Sequence, residues 1–305
     1  MELLKHCFLE TKLTNWEDIF KLPQQFMDKF VFRGQGDSEW NLSTSLERSI
    51  GKFYPYNTDT SLYFTEEKYL LKAFKWKYPL YSTSLPDKDD LIEWLTIMQH
   101  YGAPTRLVDI TRSLFVAVYF ALADAASAHS AVWAINGSIL NHKFFNKYVA
   151  NLTAQSLSQD QLDELALNEA NNILGRACLD DKIETDLLLI KPRLANERIS
   201  RQQGAFLFPA NIQKTFLEHL KSHVSNEQPL NVPFKELIKY SQENKSRQDD
   251  ITILKIIIPN DLNYEVGKYL RQMNVTAEIL FPGLDGLCKS LSYLRYRGMG
   301  NSFKM

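Results

Sequence analysis

The chain has 305 residues, 45 % of them hydrophobic and 23 % charged, with a formal net charge of −1. That is the balance of an ordinary globular protein, and a chain this long buries roughly three quarters of its unfolded surface. No global field draws it to nucleic acid or an anionic membrane, so such a partner must be held by a local patch. Cys7, Cys178 and Cys288 are odd in number and far apart, which argues against a disulfide framework or a C-x-x-C metal site. The opening MELLKHCFLETKLTNW lacks the apolar run of a signal peptide, and no stretch reaches the ~18 apolar residues of a membrane span. A cytoplasmic protein without a metal and without a membrane partner is expected.

Residues 15–29 read as helix with Asn15 as N-cap, and KFVFRGQ reads as a strand by its Phe and Val content. Helices are predicted over 65–78, with Thr65 as N-cap, and over 89–102, stopped by Gly102 and Pro104. TRLVDIT is a short extended stretch. The helix 112–126 is apolar nearly all round and should be buried. AVWAIN is a strand, and residues 138–172 are largely helical. DLLLIKP and GAFLFPA are strands, separated by a turn of helix at ERISRQQ, and NIQKTFLEHLKSH is a helix. The polar stretch 225–250 reads as a mobile surface excursion. ITILKIIIP suits a buried sheet position, and helices near 261–272 and 284–294 follow.

No flexible linker divides the chain, so a single domain over 1–305 is expected. Its core spans about 25–294, with a helical excursion near 138–180, the mobile one near 225–250 and a basic tail at 295–305. Short strands alternate irregularly with helices and no phosphate loop is present. The fold class is therefore read as α+β, a mixed β-sheet with surrounding helices.

Two segments are hard to explain by packing alone. Arg33 leaves an apolar strand beside Gly34 and Gln35. A guanidinium offers two parallel donors to a carboxamide, phosphate or carboxylate, and a glycine lets a ligand approach the backbone. The second segment runs from Gln99 through His100, Tyr101, Thr105 and Arg106 to Asp109. Its polar groups lie between two apolar helices and must be satisfied internally or by a ligand. Arg106 and Asp109 are close enough to pair as a structural clamp.

Together these segments resemble the FRG-domain family. FRGQGDSEWNLSTSLERS is similar to its opening motif. QHYGAPTRLVD matches its Gln-His-Tyr-Gly-x-Pro-Thr-Arg-Leu-x-Asp stretch without a gap. Arg198-Ile199 with Gln202-Gln203-Gly204-Ala205-Phe206, and LFPGLDGL at 280–287, resemble its two later motifs. Ser43-Thr44 stand where a Pro is usual, and Ile110 replaces the usual Trp after Asp109.

The order of elements also resembles that of ADP-ribosyltransferases: a strand ending in Arg-Gly, a Ser/Thr-bearing segment before an apolar helix, and a late strand edge bearing Glu or Gln. The resemblance implies an ADP-ribosyltransferase-like fold and NAD as substrate. It implies Arg33, His100, Asp109 and Gln202 as catalytic candidates. Arg33, Gly34, Gln35, Tyr101, Thr105, Arg106 and Tyr119 are the cofactor-binding candidates. Glu197 and Glu278 compete with Asp109 as the carboxylate near the ribose. It further implies a toxin or phage-defence effector with a neutralising antitoxin. Arg295, Arg297 and Lys304, with aromatics among them, and the arginines of RISRQQ, favour RNA or DNA over protein as acceptor. The rivals are a non-enzymatic nucleotide-sensing module and a metal-free nuclease or hydrolase using His100 and Asp109.

Overall fold

The computed structural model describes residues 5–56, 59–123, 125, 129–149, 157–176, 183–193, 197–226, 228–243 and 251–293. Eight strands form one sheet: β1 (Cys7–Lys12), β2 (Phe30–Gln35), β3 (Val108–Thr111), β4 (Ser130–Asn136), β5 (Leu187–Ile190), β6 (Gly204–Pro209), β7 (Leu230–Asn231) and β8 (Ile251–Ile258). Their order is β5-β6-β3-β2-β4-β8-β1-β7. β1 runs parallel to both β8 and β7, and every other neighbouring pair is antiparallel. This is the mixed sheet with surrounding helices that the alternation of segments predicts.

Side chains of successive strand residues face opposite ways, so both sheet faces carry a core. Phe30 and Phe32 pack with Trp16, Phe26 and the helix Leu114–Ala123 on one face. Val31, Val108, Ile110 and Trp133 pack with Phe216 and Leu220 on the other. A third core forms where the helices Ser61–Lys77, Leu91–His100 and Gln159–Gly175 meet β5 and β6. None of the described helices is long and apolar enough to cross a membrane.

Several elements differ from the sequence reading. Residues 15–29 are not one helix. Pro23 separates a 3-10 turn, Trp16–Lys21, capped by Asn15, from a short helix, Gln24–Met27, because proline has no N–H to continue the ladder. Thr65 is not an N-cap: its helix starts at Ser61, and its hydroxyl bonds back to the Ser61 carbonyl. The supposed excursion 225–250 holds β7, which pairs with β1, and a helix, Phe234–Glu243. That helix buries Phe234, Leu237 and Ile238 in the first core. Residues 244–250, Cys178 and the tail 295–305 lie outside the described residues.

β2 and β3 pair at one point only, Phe32 with Thr111. Beyond it the two strands part, while β2 stays paired with β4 through Gln35 and β3 stays paired with β6 through Val108. The candidate site opens at this split.

Candidate functional site

Antiparallel register carried past Phe32–Thr111 would set Gly34 opposite Asp109. The ladder is not continued there. Instead the Arg33 guanidinium donates to the Asp109 carbonyl at 2.7 Å, and its Nη1 stands 3.6 Å from the Asp109 carboxylate. A side chain thus takes over from the backbone pairing that the split removes.

Gly34 is needed for a different reason than ligand approach. A Cβ at this position would lie 2.0 Å from the Ala117 carbonyl oxygen and 2.5 Å from the Ala121 nitrogen. The glycine lets the helix Leu114–Ala123 press onto β2. Alternation then starts Arg33, its neighbour, on the other face of the sheet, and its guanidinium reaches Asp109 on β3.

The polar loop between the helix Leu91–His100 and β3 divides into three jobs. The Thr105 hydroxyl donates to the Gln99 side-chain oxygen. The Gln99 amide nitrogen then donates to Leu107 O at 3.2 Å and to the Asp109 carboxylate at 2.9 Å. Thr105 is itself held by Ser45, whose hydroxyl accepts from its N–H at 2.9 Å and donates to its carbonyl at 3.1 Å. A chain of hydroxyls and amides anchored on the buried Thr105 therefore orients Asp109. The turn is made by Gly102, whose φ of +82° suits glycine.

Arg106 does not join the site and does not pair with Asp109. It is buried and turned to Glu67 on the helix Ser61–Lys77. Its Nε donates to one Glu67 oxygen at 2.7 Å and its Nη2 to the other. Nη1 reaches the carbonyls of Pro209 and Ala210, and the guanidinium lies 5.0 Å from the centre of the Phe208 ring. Arg106 is a fully partnered internal brace.

A cavity of about 750 Å³ opens at the strand split, within the range of roughly 300–1,000 Å³ typical of ligand sites. Ile110, Tyr119, Phe120 and Phe206 give it an apolar wall. Among the described residues, Arg33, Arg198, Arg271 and Lys289 give it four cations and Asp109 gives it one carboxylate. His100 also lines it. Burial, and after it the Arg198 guanidinium, hold the His100 imidazole below its usual pKa, so it is neutral at physiological pH. Arg198 and Lys289 both approach the Phe281 ring, at 4.9 and 3.7 Å from its centre. Two polar atoms in the wall, Thr96 Oγ1 and Asn263 Oδ1, are buried without a hydrogen-bond partner. Such groups cost stability unless something binds them.

A smaller cavity of about 260 Å³ lies across the Arg33–Asp109 contact, lined also by Ser43, Ser45, Arg48 and Gln99. Burial, and next the neighbouring Arg33, push the Arg48 guanidinium below its usual pKa. Two cations thus face one carboxylate on this side as well.

Of the residues singled out in the sequence, the structure brings Arg33, Gly34, His100, Asp109, Tyr119 and Gln202 to the larger cavity. The Gln202 side chain donates to Leu280 O at 3.1 Å, and its carbonyl accepts from Thr111 Oγ1 at 2.7 Å. Tyr101 is 73 % exposed outside the cavity, its ring edge-on to His100. Gln35 is tied to Trp133 Nε1 at 2.7 Å and does not line the cavity. Thr105 is wholly buried and acts through Gln99. Glu197 pairs with Arg201 at 2.6 Å, and neither it nor Glu278 lines the cavity. Sequence reading missed Thr96, Asn263, Arg271 and Lys289, which come from four separate turns of three helices and have no motif. Gln99 was within reach, since it opens the same polar segment as His100.

The family model of the FRG domain matches residues 28–130. No curated protein matches the chain, and no solved structure does. The matched span supplies Arg33, His100, Asp109 and Tyr119, whereas Arg198, Gln202, Arg271 and Lys289 come from beyond it.

Proposed function

Because residues 28–130 of this chain form an FRG domain, whose Arg33 and Asp109 flank the cavity, we propose that the protein is an NAD-dependent ADP-ribosyltransferase. In this reading it modifies nucleic acid and is toxic unless a partner neutralises it. The observation that carries the reading is the make-up of the cavity wall: among the described residues, four cations against one carboxylate, beside aromatic and aliphatic side chains. That pattern suits a ligand with phosphates at one part and flat rings at another. Thr96 Oγ1 and Asn263 Oδ1 add unsatisfied partners for a ligand N–H or hydroxyl.

The chemistry follows from these groups. The bond between nicotinamide and ribose breaks with its electron pair going to the nicotinamide nitrogen. Positive charge then develops on the ribose, and the Asp109 carboxylate, held in place by Gln99 and Arg33, is the preorganised group to stabilise it. An acceptor oxygen or nitrogen forms the new bond to the ribose carbon, and its proton passes to His100, which is neutral and able to accept it. Arg33, Arg198, Arg271 and Lys289 hold the phosphates, which fixes the reacting atoms.

The reading is tested with NAD labelled on its adenylate phosphate and with separate pools of RNA, DNA and protein. Label in one pool with release of nicotinamide, both lost in Arg33→Ala, supports it. Folded protein that gives neither overturns it. A nucleotide sensor is favoured by one observation, that Asp109 is already engaged by Arg33 and Gln99. It predicts a rise in Tm with NAD or ADP-ribose and no nicotinamide release.

A further inference from the structure

The helix Ser61–Lys77 packs Leu71 against the third core, with Phe74 beside it. Its other face is unusual. Tyr69, Lys72 and Trp76 stand at i, i+3 and i+7 and so share one stripe. Trp76 is 77 % exposed, and Tyr81, just past the helix, is 84 % exposed. Lys72 and Lys77 are exposed with them. From Lys68 to Pro86 the chain has four lysines and no acidic residue, although the whole protein is slightly acidic. Two of the four are spoken for. Lys68 donates to Leu174 O. Lys75 donates to Lys88 O at 2.5 Å and lies over Trp94. Among the described residues, Lys72 and Lys77 have no such partner.

The neighbouring helix, Ser45–Phe53, continues the pattern. Lys52, Phe53 and Tyr54 are exposed at its end, and Tyr56 just beyond is 95 % exposed. No acidic residue lies between Arg48 and Tyr56. Arg48, on the same helix, lines the smaller cavity beside Arg33.

We propose that this face of the two helices, Arg48–Tyr56 and Tyr69–Tyr81, binds single-stranded nucleic acid and leads it toward the smaller cavity. Exposed aromatic rings interleaved with lysines match the two needs of an unpaired strand, stacking for the bases and cations for the phosphates. Duplex nucleic acid hides its base faces and would leave the rings unused. A protein-binding patch is ordinarily depleted in lysine at its centre. A lipid surface also takes Trp with Lys, so anionic vesicles are the control in the test. The inference rests on the transferase reading only in naming the strand as acceptor; the binding itself does not need it.

The test uses the full chain with fluorescein-labelled 20-mer RNA and DNA, single-stranded and duplex, in fluorescence anisotropy across salt. Single strands are expected to bind better than duplex, with affinity falling as salt rises. Tyr69→Ala and Trp76→Ala should each weaken binding at least fivefold. Lys72→Gln with Lys77→Gln should flatten the salt dependence. All four positions are exposed, and circular dichroism checks the fold. The rise in Tm caused by NAD is measured in the same variants and should be unchanged. Absence of binding at low salt overturns the proposal. So does binding that the aromatic variants leave intact, or a preference for duplex or for anionic phosphatidylserine vesicles. In the unmodified chain, absent strand binding with NAD stabilisation present sinks this proposal alone, while strand binding without NAD stabilisation sinks the transferase reading alone.

Discussion

Arg33 reaches across the split between β2 and β3 to bond the backbone carbonyl of Asp109 at 2.7 Å, and stands 3.6 Å from the carboxylate of the same residue. One guanidinium therefore stabilises the parted strand and sets the carboxylate that faces the cavity. Lysine lacks the fork for both contacts. On the transferase reading, Arg33→Ala should lower nicotinamide release by about a hundredfold or more, and Arg33→Lys should recover little of it. Asp109→Asn should keep NAD binding within a fewfold and lower the rate. Steady-state release of nicotinamide, with thermal shift for binding, measures both.

Arg106 makes the opposite case. It and Glu67 are buried together with their hydrogen bonds satisfied. Removing one partner strands the other charge in the core, which costs roughly 3–5 kcal/mol. Arg106→Ala and Glu67→Gln should both lower the urea midpoint sharply, and Arg106→Lys should fall short of rescue. On the transferase reading, the Tm rise expected with NAD should be preserved in whatever protein folds. A loss of NAD affinity without a loss of stability would show that Arg106 belongs to the site after all.

These two arginines show what the sequence makes legible. Both stand in dense polar motifs, and the motif alone cannot say which way a side chain turns. Arg33 follows the alternation of its strand, whereas Arg106 is claimed by a glutamate 39 residues upstream on another helix. The strand Phe30–Gln35 and the helix Leu91–His100 were readable because local residue types and packing agree. The helix Ser45–Phe53 was missed although Thr44 and Glu47 form a capping box. The helix Phe234–Glu243 was hidden by its polar surroundings, though Phe234, Leu237, Ile238 and Ser241 keep helical spacing. Arg271 and Lys289 could not be found, since a surface-type residue reaches the cavity only through the sheet order.

Gly34 should tolerate no side chain. The Cβ of alanine would overlap the Ala117 carbonyl and the Ala121 nitrogen, both backbone atoms of a buried helix. The helix must then move off β2, which belongs to the class of changes costing more than about 4 kcal/mol. Gly34→Ala should lack a cooperative urea transition or show one at far lower denaturant. A Gly34→Ala protein with wild-type stability and lost NAD binding would restore the ligand-approach role to this glycine.

His223 gives the protein a pH dependence remote from the cavity. It is buried, neither ring nitrogen has a hydrogen-bond partner, and burial is the main cause that lowers its pKa to about 4. Lys143, His219 and His6 act in the same direction and Asp186 opposes them. The unfolded chain takes up a proton near pH 6.5 that the folded chain refuses. Stability is therefore full above that value and is lost as pH falls toward 4, by about 3 kcal/mol for this group. His223→Phe should flatten the fall in urea stability between pH 6.5 and 4.5, leaving the smaller slope of His219, whose pKa is also lowered by burial. An unchanged slope would show that His223 is protonated in the fold.

Thr96 offers a prediction whose sign depends on the ligand. Its hydroxyl is buried in the cavity wall without a partner, so the empty protein carries an unsatisfied polar group. Valine has nearly the same shape and no hydroxyl. Thr96→Val should stabilise the ligand-free protein by about 1 kcal/mol, because the unmet group is gone. A bound ligand that hydrogen bonds Thr96 loses that contact, so its affinity should fall roughly two- to tenfold. If NAD is that ligand, the variant should therefore have a higher Tm alone and a smaller rise on adding NAD. A lower Tm alone would mean that the hydroxyl already has a partner. An undiminished NAD shift would mean that the ligand does not reach this part of the wall.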